Sequence, residues 1–251
     1  MFFRFSRNFF FGRVSFSKSS SRFRRPRDAD VSLLNLKKKK HSTGRNLNYY
    51  PPGVRLTATD CSEKMIEVFK EKAIAAKYVE VSKVSNSFRL ENENSPNPNP
   101  PLAKYLAAAT VTDVAQSPWR SNQFDVVVDT FGLCSFEDPV AALREMKRVC
   151  RKASDGKRGK THTKSNGKSD SKNDETDVKK KGGRIFLLEH GRSDWVWLSN
   201  ILDRYASAHA SQWGCYWNRD IEKIVRDAGL TIVVTKRFHF GTTYFIIATP
   251  E

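Results

Sequence analysis

The sequence predicts an α/β protein: a doubly wound, largely parallel sheet finished by an antiparallel strand pair, with its first strand absent or replaced. Three observations carry this. From residue 54 onward, apolar runs alternate with amphipathic helical stretches, and parallel neighbours need a crossover that is usually a helix. The last two β runs, TIVVTK and TYFIIAT, are joined only by RFHFGT, with no room for a helix between them. The stretch ahead of the first glycine-bearing turn reads DVSLLNLKKKKHSTGRN, and lysines are costly in a central strand buried on both faces.

Each element follows from local chemistry. VRLTATD, residues 54–60, is a short strand; Ser62 is placed as the N-cap of a helix whose inner face carries Met65, Ile66, Phe69, Ala73 and Ala76. FDVVVDT, residues 124–130, has the near-continuous valine content of a strand covered on both faces. Asp138 and Pro139 start the next helix, and Val140, Leu143, Met146, Val149 and Cys150 form its stripe. GRIFLLEH supplies a buried strand. Asn218 is read as the cap of a helix with Ile221, Ile224, Val225 and Ala228 inward, and Gly229 stands where a left-handed C-terminal cap is wanted. VSLLNL, residues 31–36, is the one short run that could stand in for the first strand.

Charge is unevenly distributed. The chain of 251 residues carries +17, of which residues 1–45 hold +11 and residues 152–181 hold +5, leaving +1 for everything else. A nucleic-acid-binding core is therefore not expected, because the basic residues that would attract phosphate lie outside it. The first 27 residues contain seven Arg, one Lys, six Ser and no acid, the composition of a mitochondrial transit peptide, with a basic disordered tail as the alternative. We divide the chain into a leader, 1–41, and a domain, 42–251, interrupted by disordered insertions at about 85–103 and 153–181. The first is Asn/Pro-rich; the second is too polar to offset its ordering entropy. Cys61, Cys134, Cys150 and Cys215 lack the short paired spacing of zinc sites, so no metal is expected. No run of about 18 apolar residues occurs, though peripheral membrane contact is compatible with the sequence.

Three segments, FDVVVDTFGLCSFEDPVAALREMKRVCR, GGRIFLLEHGRSDW and HASQWGCYWNRDIEKIVRDAGL, taken in order, resemble class I methyltransferases of the ubiquinone/menaquinone-methyltransferase-like group (methyltransferase type 11). LLEHGRS and WGCYWNRD are most similar to a mitochondrial inner-membrane methyltransferase-like family. The resemblance runs from about Ser42 to the C-terminus, with the N-terminal part of the domain expected to be missing. It implies a Rossmann-like sheet with S-adenosylmethionine bound at the C-terminal strand ends. Thr43 and Gly44 match the second half of the glycine-rich loop. Asp60, followed by Cys61, matches the acidic residue that accepts from both ribose hydroxyls, while the residue alone also reads as a strand-end cap. Asp113 matches the acceptor for the adenine amino group, with Val114 beside the ring; alone it reads equally as a loop aspartate. Thr130 falls where backbone contacts to the methionine portion belong, and Asp129 faces either the sulfonium region or solvent.

The chemistry implied needs positioning more than acid–base help, since the leaving thioether is neutral. Holding acceptor and methyl in line can supply on the order of 7–11 kcal/mol, whereas a general base adds about 3–5 kcal/mol. His190, directly after a strand, is the candidate base, with a strand-capping role as its alternative. His209, on a helix lined with Tyr205, Trp213 and Trp217, marks an acceptor pocket or ordinary packing. The expected function is S-adenosylmethionine-dependent methyl transfer to a small-molecule or lipid-like acceptor in mitochondria, impaired if the first strand is lost. A noncatalytic mitochondrial assembly or RNA-associated factor on a degenerate methyltransferase fold is the alternative. A dinucleotide oxidoreductase is disfavoured by the missing G-x-G-x-x-G and by the terminal strand pair.

Overall fold

The computed structural model describes residues 30–34, 44, 46–51, 54–80, 104–153 and 182–251. In chain order these form β1 (Asp30–Leu34), β2 (Arg55–Asp60), α1 (Glu63–Ala75), β3 (Tyr78–Glu80), β4 (Lys104–Val111), β5 (Val126–Thr130), α2 (Pro139–Val149), β6 (Arg184–His190), α3 (Val196–Trp213), α4 (Ile221–Asp227), β7 (Thr231–Phe238) and β8 (Thr243–Thr249). The strands make one sheet in the order β3-β4-β2-β1-β5-β6-β8-β7. Every pair from β3 to β6 is parallel; β8 runs antiparallel to β6, and β7 antiparallel to β8. The short link before β8 turns through His239, Phe240 and Gly241, all at positive φ.

Of the two expectations for the first strand, absence is not met; the strand is supplied by DVSLL, which overlaps VSLLNL, the run read as its stand-in. β1 lies in the middle of the sheet, inside the stretch read as leader, with Val31 opposite Leu56 on one side and Val126 on the other. It ends at Leu34, before Lys37, so the lysines that argued against a strand are not part of it. Five residues suffice because both edges are paired. From β1 the chain builds outward through β2 and β4, then on the other side through β5 and β6. That reversal creates a crevice at the C-terminal strand ends, the usual ligand position in open α/β sheets.

Two apolar clusters cover the sheet. One joins Phe124, Val127, Leu143, Met146, Ile185, Ile221 and Ile246; the other joins Leu47, Leu56, Phe69, Ala73, Tyr78 and Leu106. Full burial of a Leu or Met side chain contributes about 1.5–3 kcal/mol, and Leu143 and Met146 are completely buried. Asp138 caps α2 by accepting from the Ala141 amide at 2.9 Å, as its place before Pro139 predicts. Two caps differ from expectation. Asp220, not Asn218, caps α4 by accepting from Lys223 N at 2.9 Å, because Asn218 is drawn away to Asp203. Ser62 occupies the N-cap position of α1 but makes no side-chain cap bond. Gly229 is left-handed at φ +74°, as the C-terminal cap requires. The expected insertions, apart from Ala153, and the first 29 residues lie outside the described residues.

Candidate active site

At the C-terminal ends of β2 and β4, Thr59, Asp60, Cys61, Thr112, Asp113, Val114 and Phe136 line one cleft. The parallel register sets Asp60 opposite Val111, and the Thr112 amide donates to the Asp60 carbonyl at 2.8 Å. Asp60 is buried; its Oδ1 accepts from the Ser62 amide at 2.7 Å, which fixes the carboxylate as the strand turns into α1. Asp113 is exposed and accepts from the Ala115 amide at 2.9 Å. It thereby caps the single helical turn Val114–Gln116 and holds buried Val114 against the cleft. No Lys or Arg is among the lining residues. The cleft therefore offers acceptor oxygens beside an apolar wall, a chemistry that suits hydroxyl and amino donors on a flat ring.

Gly44 and Thr130 are not among those lining residues, and Thr43 lies outside the described residues. Gly44 has φ +68°, and a Cβ there would approach Leu47 Cδ1 to 2.7 Å. Its glycine is demanded by the turn that buries Leu47, whose carbonyl accepts from the Tyr78 hydroxyl at 2.8 Å. Asn46 Nδ2 donates to Thr130 Oγ1 at 3.0 Å, tying this turn to the tip of β5.

Two strands away from β2, the period-2 alternation that buries Val127 in β5 and Ile185 and Leu187 in β6 carries Asp129 and Glu189 inward too. Glu189 accepts from the amides of Gly132 (3.1 Å) and Cys134 (3.3 Å). Neither oxygen of Asp129 has a well-formed hydrogen bond. Burial pushes Asp129 up to about 8, against partial relief from Glu189 and the Thr130 and Leu133 backbone. Burial first, and then the neighbouring Asp129, hold the Glu189 carboxyl well above its usual range. The loop they brace contains Cys134, fully buried, whose thiol is raised well above the usual range by the adjacent Cys215 and then by burial. Cys215 Sγ lies 3.8 Å from His190 Nδ1, and the His190 ring stacks on Phe131 with centroids 4.4 Å apart. His209 is a brace: its Nδ1 is 2.8 Å from the Cys215 carbonyl and its ring stacks on Trp217 at 3.7 Å.

A methyltransferase-domain family model matches residues 41–154. The mitochondrial methyltransferase OMS1 of Saccharomyces cerevisiae is 30% identical over 214 residues, covering 82% of this chain and 36% of that protein. Residues 41–154 thus carry a methyltransferase domain. The chain spans about a third of the length of that curated relative. Among solved structures, a SAM-dependent methyltransferase from Methanosarcina mazei is similar with a TM-score of 0.52 at 13% identity, over 89% of this chain and 92% of that one. A protein from Bacillus halodurans classed as a methyltransferase has a TM-score of 0.50 at 12% identity, over 88% and 89% of the two chains. At such identities the likeness is one of fold, and the fold is Rossmann-like.

Within this methyltransferase domain, four of the residues singled out from sequence meet in one cleft: Asp60, Cys61, Asp113 and Val114. His190 stands apart from them, half-buried at the end of β6. Sequence reasoning missed the gathering of Cys134, His190 and Cys215, whose ligand atoms all lie within 4.8 Å of one another. Their separations along the chain hide any spacing pattern; only the order of β5 and β6 in the sheet brings the first two together. The buried carboxyls did leave a trace, as acids closing the apolar runs VVVD and FLLE.

Proposed function

We propose that this chain binds S-adenosylmethionine across Asp60 and Asp113 and transfers its methyl group to a small-molecule or lipid-like acceptor, in mitochondria. The observation that supports this best is the shared cleft: a buried carboxylate at one strand tip and an exposed one just past the next, with Val114 in the lining and no cation there. In this reading Asp60 accepts from the ribose hydroxyls, for which two carboxylate oxygens suit two donors, and Asp113 accepts from the adenine amino group over Val114. Cys61 forms part of the wall. Thr43, Gly44 and the backbone at Thr130 serve the methionine portion, with the Asn46–Thr130 bond setting that edge.

When bound, the cofactor supplies an electrophilic methyl on a sulfonium whose departing thioether is neutral. The protein's part is to hold an acceptor in line and to exclude water. His190 is the acid–base candidate at the acceptor end, next to the buried carboxyls. The mitochondrial setting is supported by the Arg- and Ser-rich first 27 residues and by a mitochondrial relative. Exposed Trp197, Ile201, Tyr205 and Trp213 recur at four-residue steps or multiples of them along α3, with exposed Trp195 and Phe240 beside its start. That stripe supports peripheral contact with a lipid surface, from which a lipid-like acceptor could be drawn.

Calorimetric titration with S-adenosylmethionine tests the cofactor reading. The wild-type chain should show one saturable site. Asp60→Ala should weaken it about 10- to 100-fold, the loss expected for a hydrogen bond to a charged group worth about 1.5–3 kcal/mol, while Asp60→Asn reports whether the strand tip stays folded. No detectable heat at millimolar ligand, or equal affinity in Asp60→Ala, refutes the reading.

A further inference from the structure

We propose that Cys134, His190 and Cys215 form a binding site for one zinc ion, with the fourth coordination position open. The three ligand atoms lie within 4.8 Å of one another, and Cys215 Sγ is 3.8 Å from His190 Nδ1. In a tetrahedral site with Zn–S near 2.3 Å and Zn–N near 2.0–2.1 Å, the ligand atoms stand roughly 3.6–3.8 Å apart. The cluster therefore needs to contract by about 1 Å or less along its longest edge. A disulfide between the two cysteines would instead require their sulfurs to close to about 2.05 Å.

The three ligands come from separate supports, each held from behind. Cys134 sits in the loop after β5, its amide bound by Glu189 Oε2 at 3.3 Å and its carbonyl accepting from the Tyr216 amide at 2.7 Å. Cys215 follows Gly214, the left-handed end of α3, and its carbonyl meets His209 Nδ1 at 2.8 Å. His190 ends β6 opposite Thr243 of β8, and Phe131 flanks its ring. Outer groups that fix ligand direction are a regular part of working metal sites. Charge also closes: two thiolates neutralise the dication, and a neutral imidazole completes the set, so no net charge is buried. Mixed sulfur and nitrogen donors suit zinc, and three protein ligands with a vacant fourth position are the arrangement of catalytic zinc. Cys134 and Cys215 are buried while His190 is only half-buried, so the open position faces the His190 side, at the same sheet edge as the Asp60 cleft. As a ligand through Nδ1, His190 gives up the acid–base role proposed for it; the two readings of His190 exclude each other, and the metal titration decides between them.

The test uses the reduced, metal-free full chain titrated with Zn²⁺ against a chromophoric chelator, and with Co²⁺ as a spectroscopic replacement. Expected are one equivalent of Zn²⁺ and, with Co²⁺, sulfur-to-metal charge-transfer absorption together with intense tetrahedral visible bands. Cys134→Ser, Cys215→Ser and His190→Ala should each lower affinity by about 100-fold or more, beyond the roughly 10–100-fold that losing an outer-shell group costs. Cys61→Ser and Cys150→Ser should leave it unchanged, as should Asp60→Ala, which separates this proposal from the cofactor reading. Circular dichroism checks folding; should Cys134→Ser not fold, Cys215→Ser and His190→Ala decide. Absence of a stoichiometric site, a purely octahedral cobalt spectrum, a Cys134–Cys215 disulfide forming in place of metal uptake, or undiminished binding in Cys215→Ser and His190→Ala would each overturn it.

Discussion

Asp129 shows how one residue links pattern, energetics and pH. It ends VVVD on the same face as Val127, so the alternation that buries valine buries a carboxyl as well. Gly132 follows it for a steric reason: a Cβ there would meet Asp129 Oδ1 at 2.2 Å. Because burial raises the Asp129 carboxyl to about 8, the unfolded chain binds fewer protons than the native one between the ordinary Asp value near 4 and that raised value. The contribution of Asp129 is thus fully present at low pH and is lost as pH rises through the native value. Its slope is at most about 1.4 kcal/mol per pH unit for one proton. Urea midpoints should therefore fall between about pH 5 and about pH 8, and Asp129→Asn should gain on wild type across that interval. Parallel pH profiles for the two proteins would show that Asp129 ionises normally. Asp60 was readable from sequence because it closes a strand, whereas Asp113, two residues past the end of β4, came only from the family resemblance. The grouping of Cys134, His190 and Cys215 was not readable, because what unites them is a tertiary contact and no interval along the chain.

The elements were readable wherever periodicity was long and the ends were chemically marked. For α2 the Asp138–Pro139 start and the stripe through Leu143 and Met146 name both the helix and its buried face. Leu143→Ala should accordingly cost about 2–5 kcal/mol in urea unfolding; a loss below about 1 kcal/mol would mean that this stripe is not core. β1 was obscured by the lysines that follow it, since a strand of five residues gives too little alternation to read against four adjacent charges. Along α3 and just past its end the aromatic residues were legible but their direction was not. Trp217 packs through its Nε1 to the Leu202 carbonyl at 2.9 Å, whereas Trp197, Tyr205 and Trp213 face outward. Flotation with phosphatidylcholine vesicles, with and without cardiolipin, examines the lipid-contact reading. Trp195→Ala/Trp197→Ala should reduce co-flotation several-fold, because each exposed indole offers a large apolar area, and equal flotation of the variant would remove α3 as the contact.

For the whole molecule, the parallel sheet and its antiparallel end were predictable from alternation and from the short β7–β8 link, while the strand order came only with the structure; the charge reading assigned almost all of the basicity to two tracts. Six parallel strands place every C-terminal tip on one edge, so the Asp60–Asp113 cleft and the Cys134–His190–Cys215 cluster open at a common margin three strand spacings apart, roughly 14 Å at about 4.8 Å per strand. On the proposed reading that layout would give a donor end and an acceptor end to one crevice, and the central proposal is that the donor end holds S-adenosylmethionine. Hydrogen–deuterium exchange with and without saturating S-adenosylmethionine tests this most directly. The account predicts slowed exchange in peptides covering residues 59–62 and 112–116, with β7 at the far edge unchanged. Exchange unaltered by ligand throughout the chain, or slowed only away from those two strand tips, would contradict it.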